Sequence, residues 1–463
     1  MAHRKPAIAS IIVVSSVLLL TLSLLSPSAG RVSYMIASFA CNQAYVGGYP
    51  ADWIIAAEIE PMAAPISGLF QLDFDAQDKE VSASVFGLFE RRLAYRPGYG
   101  CGLVSPDSKK LPPLDRQLAS GSELPDATSS YPELQQFLAD SFVKDPAQGH
   151  TNLNHRGIIV LHKGKVIAEH YAYPFDDDSM HYSYSMAKSV LAMLWAIADD
   201  KGLADLSSRA QVPEWVTGDP RRAITNRQLM DMSSGLEPVE DTTPTGSFIR
   251  MMSSTDTAHF AASVPLIDHP GTVFNYSSGS SNIASRSLAL ALSERGINLF
   301  QFALDELFQP IGIEHLEMLA DEQGTFIGGS AIYASLRDWA RLGQLLLNDG
   351  VWNGRQVLPP GLLESLQNDH AYSAGEYKMG FWLNDQESYG GTKHIDLPDD
   401  LVFFAGYLGQ RVVILPSHDL VIARVGRTAG KPAIARLKTF YIELFARATE
   451  AISGSEPALA KDV

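Results

Sequence analysis

The apolar positions along the chain fall into runs with two different periods. From Ser185 onward, Val190, Leu191, Leu194, Ile197 and Ala198 recur at helical spacing and the run is apolar on nearly every side, which predicts a helix buried in a core and closed by Gly202. Short β-rich runs lie on either side of it. Arg156 to Leu161 and Val166 to Tyr171 are joined by His162-Lys163-Gly164-Lys165, which reads as a hairpin turn, and Leu401 to Tyr407, Arg411 to Leu415 and Leu420 to Val425 are apolar strands broken by glycines and Pro416. Helices are expected over Ala223 to Ser234 and over about Pro432 to Ala448, with helical pieces continuing to about Asp321 and loops at Gly235 to Gly246 and His269 to Gly279. Strands from the two ends of this region are expected to pair into one antiparallel sheet with helices on its faces and a helical subdomain inserted between. That is an α+β class, an α/β sandwich.

Upstream the pattern changes. His3, Arg4 and Lys5 precede an uncharged run from Pro6 to Gly30, near the roughly 20 residues that span a bilayer. It reads either as a cleaved signal, with Ser26, Ser28 and Ala29 as small residues for cleavage, or as a retained membrane anchor; both carry the remainder out of the cytoplasm. The expected organisation is then residues 1–32 signal or anchor, 33–104 a small β-rich segment including Val81 to Phe86 and Arg91 to Tyr95, 105–130 linker, 131–450 the main domain with its helical insertion over about 223–321, and 451–463 a tail. No internal repeat is visible.

Composition and charge narrow the function. With 463 residues and 46% hydrophobic content the chain can bury a large core, and its net charge of −16 argues against nucleic acid or an anionic membrane surface as the main partner. Only two cysteines occur, Cys41 and Cys101, both in the 33–104 segment. Two cysteines in an exported chain usually pair, so a disulfide is expected; it would close a loop of about 60 residues, which loop-entropy models credit with roughly 3–5 kcal/mol.

The candidate chemistry sits at the start of the buried helix. Ser185 and Lys188 are three apart, hence on one helical face. A serine hydroxyl is a weak nucleophile that needs a neighbouring unprotonated base, and removal from water disfavours a lysine's charged form, so Lys188 is a candidate acceptor for the serine proton. The helix N-terminus adds free N–H groups and a positive dipole end for the oxyanion formed on attack. S-x-x-K alone occurs by chance in many helices. Here the helix is otherwise apolar, and its lysine would be an unexplained burial cost.

Tyr184-Ser185-Met186-Ala187-Lys188-Ser189 followed by an apolar helix resembles the nucleophile motif of the class C β-lactamase-related serine hydrolases, which include penicillin-binding proteins, esterases and 6-aminohexanoate-dimer hydrolases. The resemblance implies a β-lactamase/transpeptidase-like fold. Asn275-Tyr276-Ser277-Ser278-Gly279 resembles the family's Y-x-N motif, whose tyrosine shares the serine proton with the lysine and passes it to the leaving group; Tyr276 matches, and Ser278 stands where asparagine is usual. The third motif, K-T-G or H-x-G, has no literal K-T-G here. His155-Arg156-Gly157, His162-Lys163-Gly164 and His269-Pro270-Gly271 sit too early in the chain and read as turns or strand entries. Phe404 to Gln410 is the better positional match, read as a strand with glycines and similar to the G-x-x-G-Q variant of nylon-hydrolase-like members. Tyr407-Leu408-Gly409 would then replace K-T-G, and the N–H of Gln410 would join that of Ser185 in an oxyanion hole. Gln228 to Leu236 and Gly328 to Asp338 look like further family signatures, so the resemblance runs from about Arg156 to Val425.

The expected function is an exported serine hydrolase, periplasmic or otherwise extracytoplasmic, cleaving small esters or linear amides through a serine acyl-enzyme, with no cofactor and no metal. A β-lactamase or D-alanyl peptidase is the nearest alternative, and a non-catalytic cell-wall or ligand-binding member is the alternative from another class. Keeping Ser185, Lys188 and Tyr276 together argues against the last. A metallohydrolase lacks support in twelve histidines without H-E-x-x-H or H-x-H-x-D spacing, and an α/β-hydrolase needs G-x-S-x-G, which the sequence lacks.

Overall fold

The computed structural model describes residues 27–64, 67–105, 109–116, 123–143, 153–368, 373–384 and 395–455. The expected signal or anchor falls mostly on residues 1–26 and the tail mostly on 456–463, both outside the described residues. Among the described residues no helix is long and apolar enough to cross a membrane. The chain forms two compact units, one from residues 1–110 with 240–255, the other from 111–239 with 256–463.

In the first unit residues 27–45 are helical, and a second helical stretch runs over 51–63. A four-stranded antiparallel meander follows: β1 (Phe70–Asp75), β2 (Glu80–Val85), β3 (Leu88–Arg96) and β4 (Gly100–Leu103). The 33–104 segment is therefore β-rich only in its second half. Its first half has too few alternating positions to make strands and packs Ile36, Ala37, Ala40, Ile54 and Ile59 as buried helical residues. Cys41 on the first helix and Cys101 on β4 form the expected disulfide, with Cα atoms 6.1 Å apart, and the Asn42 carboxamide oxygen accepts from the Cys101 N–H at 2.9 Å. Replacing both cysteines by serine is expected to cost about 3–5 kcal/mol of stability, in line with a closed loop spanning 60 positions. An unfolding midpoint unchanged from the parent, measured by circular dichroism, would contradict this.

The second unit is built on a seven-stranded antiparallel sheet. Its strands are β5 (His155–His162), β6 (Lys165–Tyr171), β12 (Tyr377–Lys378), β13 (Phe381–Leu383), β14 (Val402–Gly406), β15 (Gln410–Leu415) and β16 (Leu420–Gly426), in the order β12-β13-β14-β15-β16-β5-β6. β16 pairs with β5, Val421 facing Leu161, so the two ends of the region meet as expected. The β5–β6 turn has Lys163 and Gly164 both at positive φ, the backbone of a type I′ hairpin. A three-stranded sheet, β7 (His181–Tyr182), β9 (Ile332–Ala334) and β8 (Leu316–Met318), and a small β10–β11 hairpin (Val351–Trp352, Arg355–Gln356) complete the strands described.

The longest described helices of this unit are α1 (Pro132–Ser141), α2 (Ala187–Asp200), α3 (Ser278–Ser293), α4 (Leu336–Leu347) and α5 (Lys431–Ser455). Strand alternation explains their placement. Ile158, Val160, Phe403, Val413 and Ile422 point to one face, where Leu134 and Leu138 of α1 and Leu437, Phe440 and Leu444 of α5 cover them. On the other face α4 packs against β5, β15 and β16 so closely that a Cβ on Gly343 would lie 2.6 Å from Val412 Cγ1. The helix expected over Ala223 to Ser234 shrinks to Asn226–Met230, opened by a Thr225/Gln228 capping box and preceded by a 3-10 turn at Pro220–Ala223.

Candidate active site

β7 delivers the chain to Ser183, and there the backbone turns sharply. Tyr184 has φ +47°, a left-handed conformation that costs a bulky residue on the order of 1–2 kcal/mol, so the surroundings must hold it. They do so through Ser183. Its N–H donates to Ile332 O at 2.8 Å, its hydroxyl accepts from the Ile332 N–H at 3.1 Å, and that hydroxyl donates to Tyr184 O at 2.9 Å. Tyr184–Met186 forms a 3-10 turn that runs into α2, which starts at Ala187, and Gly202 sits at positive φ just beyond its end as expected.

α2 is buried along nearly its whole length, and Lys188, 1% exposed, is its one cation there. Lys188 Nζ lies 3.1 Å from Ser185 Oγ, 3.0 Å from Ser278 Oγ and 2.6 Å from Gly329 O. It makes no ion pair among the described residues. These three partners decide what the amine can do. Gly329 O can only accept, and Ser278 Oγ can accept as well, so a neutral amine can give both its N–H bonds to them and turn its lone pair toward Ser185.

Ser278 and Gly329 come from different parts of the chain. Ser277 caps α3, its hydroxyl accepting from Ser280 N–H and from Val239 N–H, which places Ser278 in the first turn facing Lys188. Gly329 is held by its own N–H, which donates to Asn282 Oδ1 at 2.9 Å, and a Cβ there would lie 2.9 Å from Ser278 O. Tyr276 stands beside this group. Lys188 Nζ is 4.8 Å from the centroid of its ring, which also packs on Trp382 at 5.3 Å and Tyr377 at 5.8 Å. Among the described residues the Tyr276 hydroxyl makes no hydrogen bond to Ser185 or Lys188.

Phe404 to Gln410 is not one strand. β14 ends at Gly406, Tyr407–Gly409 makes a 3-10 turn with Leu408 at φ +60°, and Gln410 opens β15. Gly406 pairs with Gln410 across the turn, so the three residues between them close a β14–β15 hairpin. Gly406 lies against the serine segment: a Cβ on it would collide with Ser183 O, which explains the glycine. Tyr407 is 69% exposed and meets the Tyr184 ring edge-on at 5.5 Å. Gln410 turns its side chain away, its carboxamide bonding Gly426 in both directions.

The turn has a second support that the sequence did not advertise. Arg424 on β16 is fully buried and donates to Gly409 O at 2.8 Å, Leu408 O at 3.3 Å, Leu153 O at 2.7 Å, Thr428 Oγ1 at 2.6 Å and His155 Nδ1 at 3.0 Å. Burial lowers its pKa to about 10, which leaves it charged at neutral pH. Asn282 was missed in the same way, and Gly329 fell in a stretch read as a family signature without its contact with Lys188 being foreseen; the Gly328-Gly329 pair was the available signal of a close backbone approach. The three H-x-G strings lie elsewhere. Two bracket β5 and the third is in a loop, where the Gly271 N–H donates to Ser233 O.

Comparison with known proteins follows this geometry. A protein described as a 6-aminohexanoate-dimer hydrolase from Bacillus anthracis superposes with a TM-score of 0.57 at 19% identity, covering 74% of this chain and 89% of its own. One described as a β-lactamase from Bacteroides dorei does so at 0.52 and 21%, covering 70% and 99%. A family VIII carboxylesterase gives 0.50 and 16%, covering 70% and 97%. At these identities the likeness concerns the fold. An uncharacterized protein of Alkalihalophilus pseudofirmus is 29% identical over 106 residues, 22% of this chain, and the chain spans about a third, 32%, of the length of that curated relative. The sequence profile of the Beta-lactamase family matches residues 152–447, well over half of the chain. By that match, over well more than half of its length, the chain belongs to the Beta-lactamase family.

Proposed function

We propose that the protein is an exported hydrolase of small esters or linear amides, working through an acyl-enzyme on Ser185. The observation that carries this reading is the buried Lys188 amine at 3.1 Å from Ser185 Oγ, with no ion pair among the described residues. Attack by Ser185 Oγ on the substrate carbonyl transfers the hydroxyl proton to Lys188, and the N–H groups of Ser185 and Gln410 receive the oxyanion. Tyr276, its ring on the lysine, carries the proton to the leaving group; water then repeats the cycle to release the acid. Ser278, at the position where asparagine is usual in the family, acts on the lysine, since its hydroxyl is 3.0 Å from Nζ. Export is supported by the disulfide in the first unit.

Mass spectrometry after treatment with a fluorophosphonate probe tests the reading. One adduct on Ser185 is expected. Folded protein without an adduct would instead indicate a member of the fold that binds and does not turn over.

Arg424 is a positioning residue in this scheme, because it holds the carbonyls of the turn that leads into Gln410. Arg424→Lys keeps the charge but cannot fork across those carbonyls. A displacement on the order of 1 Å at a reacting group can cost about 10²-fold, so kcat is expected to fall by about tenfold or more while KM moves less. Equal loss of kcat and of folded protein by near-ultraviolet dichroism would reduce Arg424 to a stability role.

A further inference from the structure

Behind the active-site strand lies a half-open, largely apolar space with polar groups that the proposed mechanism does not use. A cavity of about 150 Å³ opens between the sheet and α5, its walls formed by Trp382, Phe403, Val413 and Leu437 among other apolar side chains. A cavity of this size accommodates an apolar molecule of about the bulk of benzene. Arg411, Lys438 and Tyr441 also line it.

Among the described residues the protein leaves the Tyr441 hydroxyl unsatisfied, while Arg411 is partly engaged. Arg411 donates through Nη1 to Gly406 O at 3.1 Å and Gln410 O at 2.8 Å and lies over the Phe403 ring at 5.7 Å, and it makes no ion pair among the described residues. Tyr441 is 4% exposed, and its hydroxyl is buried without a hydrogen-bond partner among the described residues. A buried orphan hydroxyl costs roughly as much as a lost hydrogen bond and calls for an explanation. Burial pushes the Tyr441 hydroxyl up to about 12, with Arg424 and Arg411 pulling it back, so at neutral pH it is a donor. Burial likewise lowers Arg411 from its ordinary value, and Tyr441 and Tyr276 oppose that shift.

The cavity is separate from the serine. Phe403 and Ala405 line it, while their neighbour Gly406 on the same strand faces the opposite way, toward Ser183. We propose that this cavity binds a small monocarboxylate with a short unbranched apolar tail, of about the size of butanoate to hexanoate, whose carboxylate accepts from the Arg411 guanidinium and the Tyr441 hydroxyl. A cation and a neutral donor beside apolar walls match an anionic head on an apolar tail. Because Arg411 also holds Gly406 O and Gln410 O, an occupant draws on the group that ties β14 to β15 beside Ser183.

The test uses full-length protein carrying Ser185→Ala, so that its outcome does not depend on turnover. Calorimetric titration at neutral pH is expected to show saturable one-to-one binding of hexanoate, at least about tenfold tighter than 1-hexanol, since a charge-assisted bond replaces a neutral one. Tyr441→Phe on this background should weaken hexanoate about tenfold and leave 1-hexanol unchanged. Ala405→Leu, which fills the space, should abolish both. The proposal is overturned if folded protein shows no saturable hexanoate binding, if 1-hexanol binds as tightly, or if either added substitution leaves hexanoate affinity at the parent value.

Discussion

Ser185→Ala is expected to abolish ester hydrolysis, and Lys188→Ala to come close to doing so. In the proposed mechanism both side chains act in one proton transfer, so the two losses should be grossly non-additive and the double variant no worse than Ser185→Ala alone. The role proposed for Lys188 rests on its burial, at 1% exposure, and on partners that are two hydroxyls and a carbonyl. Lys188→Ala also removes a buried cation, so its folded state should be verified by thermal unfolding before rates are compared. Near-parental turnover by folded Lys188→Ala would falsify the mechanism. Tyr276→Phe separates two roles of one residue. The ring contact with the lysine, 4.8 Å from amine to centroid, survives the substitution, and only the hydroxyl is lost. A loss of roughly 10²-fold is expected if the hydroxyl relays the proton, in keeping with a positioned acid or base. Unchanged kcat would leave the ring as a packing surface and require another route to the leaving group.

A p-nitrophenyl ester and a linear aminohexanoate dimer are expected to be turned over faster, by kcat/KM, than a chromogenic cephalosporin. β-Lactams carry a carboxylate, and in K-T-G enzymes the lysine and its neighbours give that anion a charged partner. In the proposed correspondence Tyr407, exposed at 69% and packed on Tyr184, takes that place and offers one neutral hydrogen bond. A bond to a charged partner contributes roughly 1.5–3 kcal/mol and a neutral one about 0.5–1.5 kcal/mol, so the exchange should lower β-lactam recognition by about tenfold or more. The acylation groups are untouched by it. Faster turnover of the cephalosporin than of both other substrates would reverse the assignment. Tyr407→Lys offers a second check, because restoring a cation should raise cephalosporin kcat/KM relative to the ester.

The periodic parts of this protein were legible in the chain itself. A helix whose residues are apolar all round has to be buried, so α2, its start near Ser185 and its end before Gly202 followed from spacing alone. Five of the seven strands of the main sheet were readable for the same reason, since runs such as Val412-Val413-Ile414 and Val421-Ile422-Ala423 are buried on both faces, whereas β12 and β13 are too short to show a period. Ser185, Lys188 and Tyr276 were found because residue type and order carry a chemical motif. What sequence could not supply was which backbone meets which. Gly329 O reaches Lys188 across 141 positions, and Arg424 meets Leu408 O across 16, and carbonyls look alike in a sequence. The hairpin at Tyr407–Gly409 was read as strand because its residues are individually strand-compatible; only the pairing of Gly406 with Gln410 makes it a turn. The helical residues 33–45 and 51–63 were read within a β-rich segment for a related reason, as short mixed segments take the structure that their packing partners impose. Local order thus determined the helix, the strands and the candidate nucleophile, because periodicity and residue chemistry are local properties. The lysine's partners, the support of the Gln410 turn and the cavity behind β14 were decided by tertiary structure, because they depend on distances between segments that the chain alone does not encode in any one place.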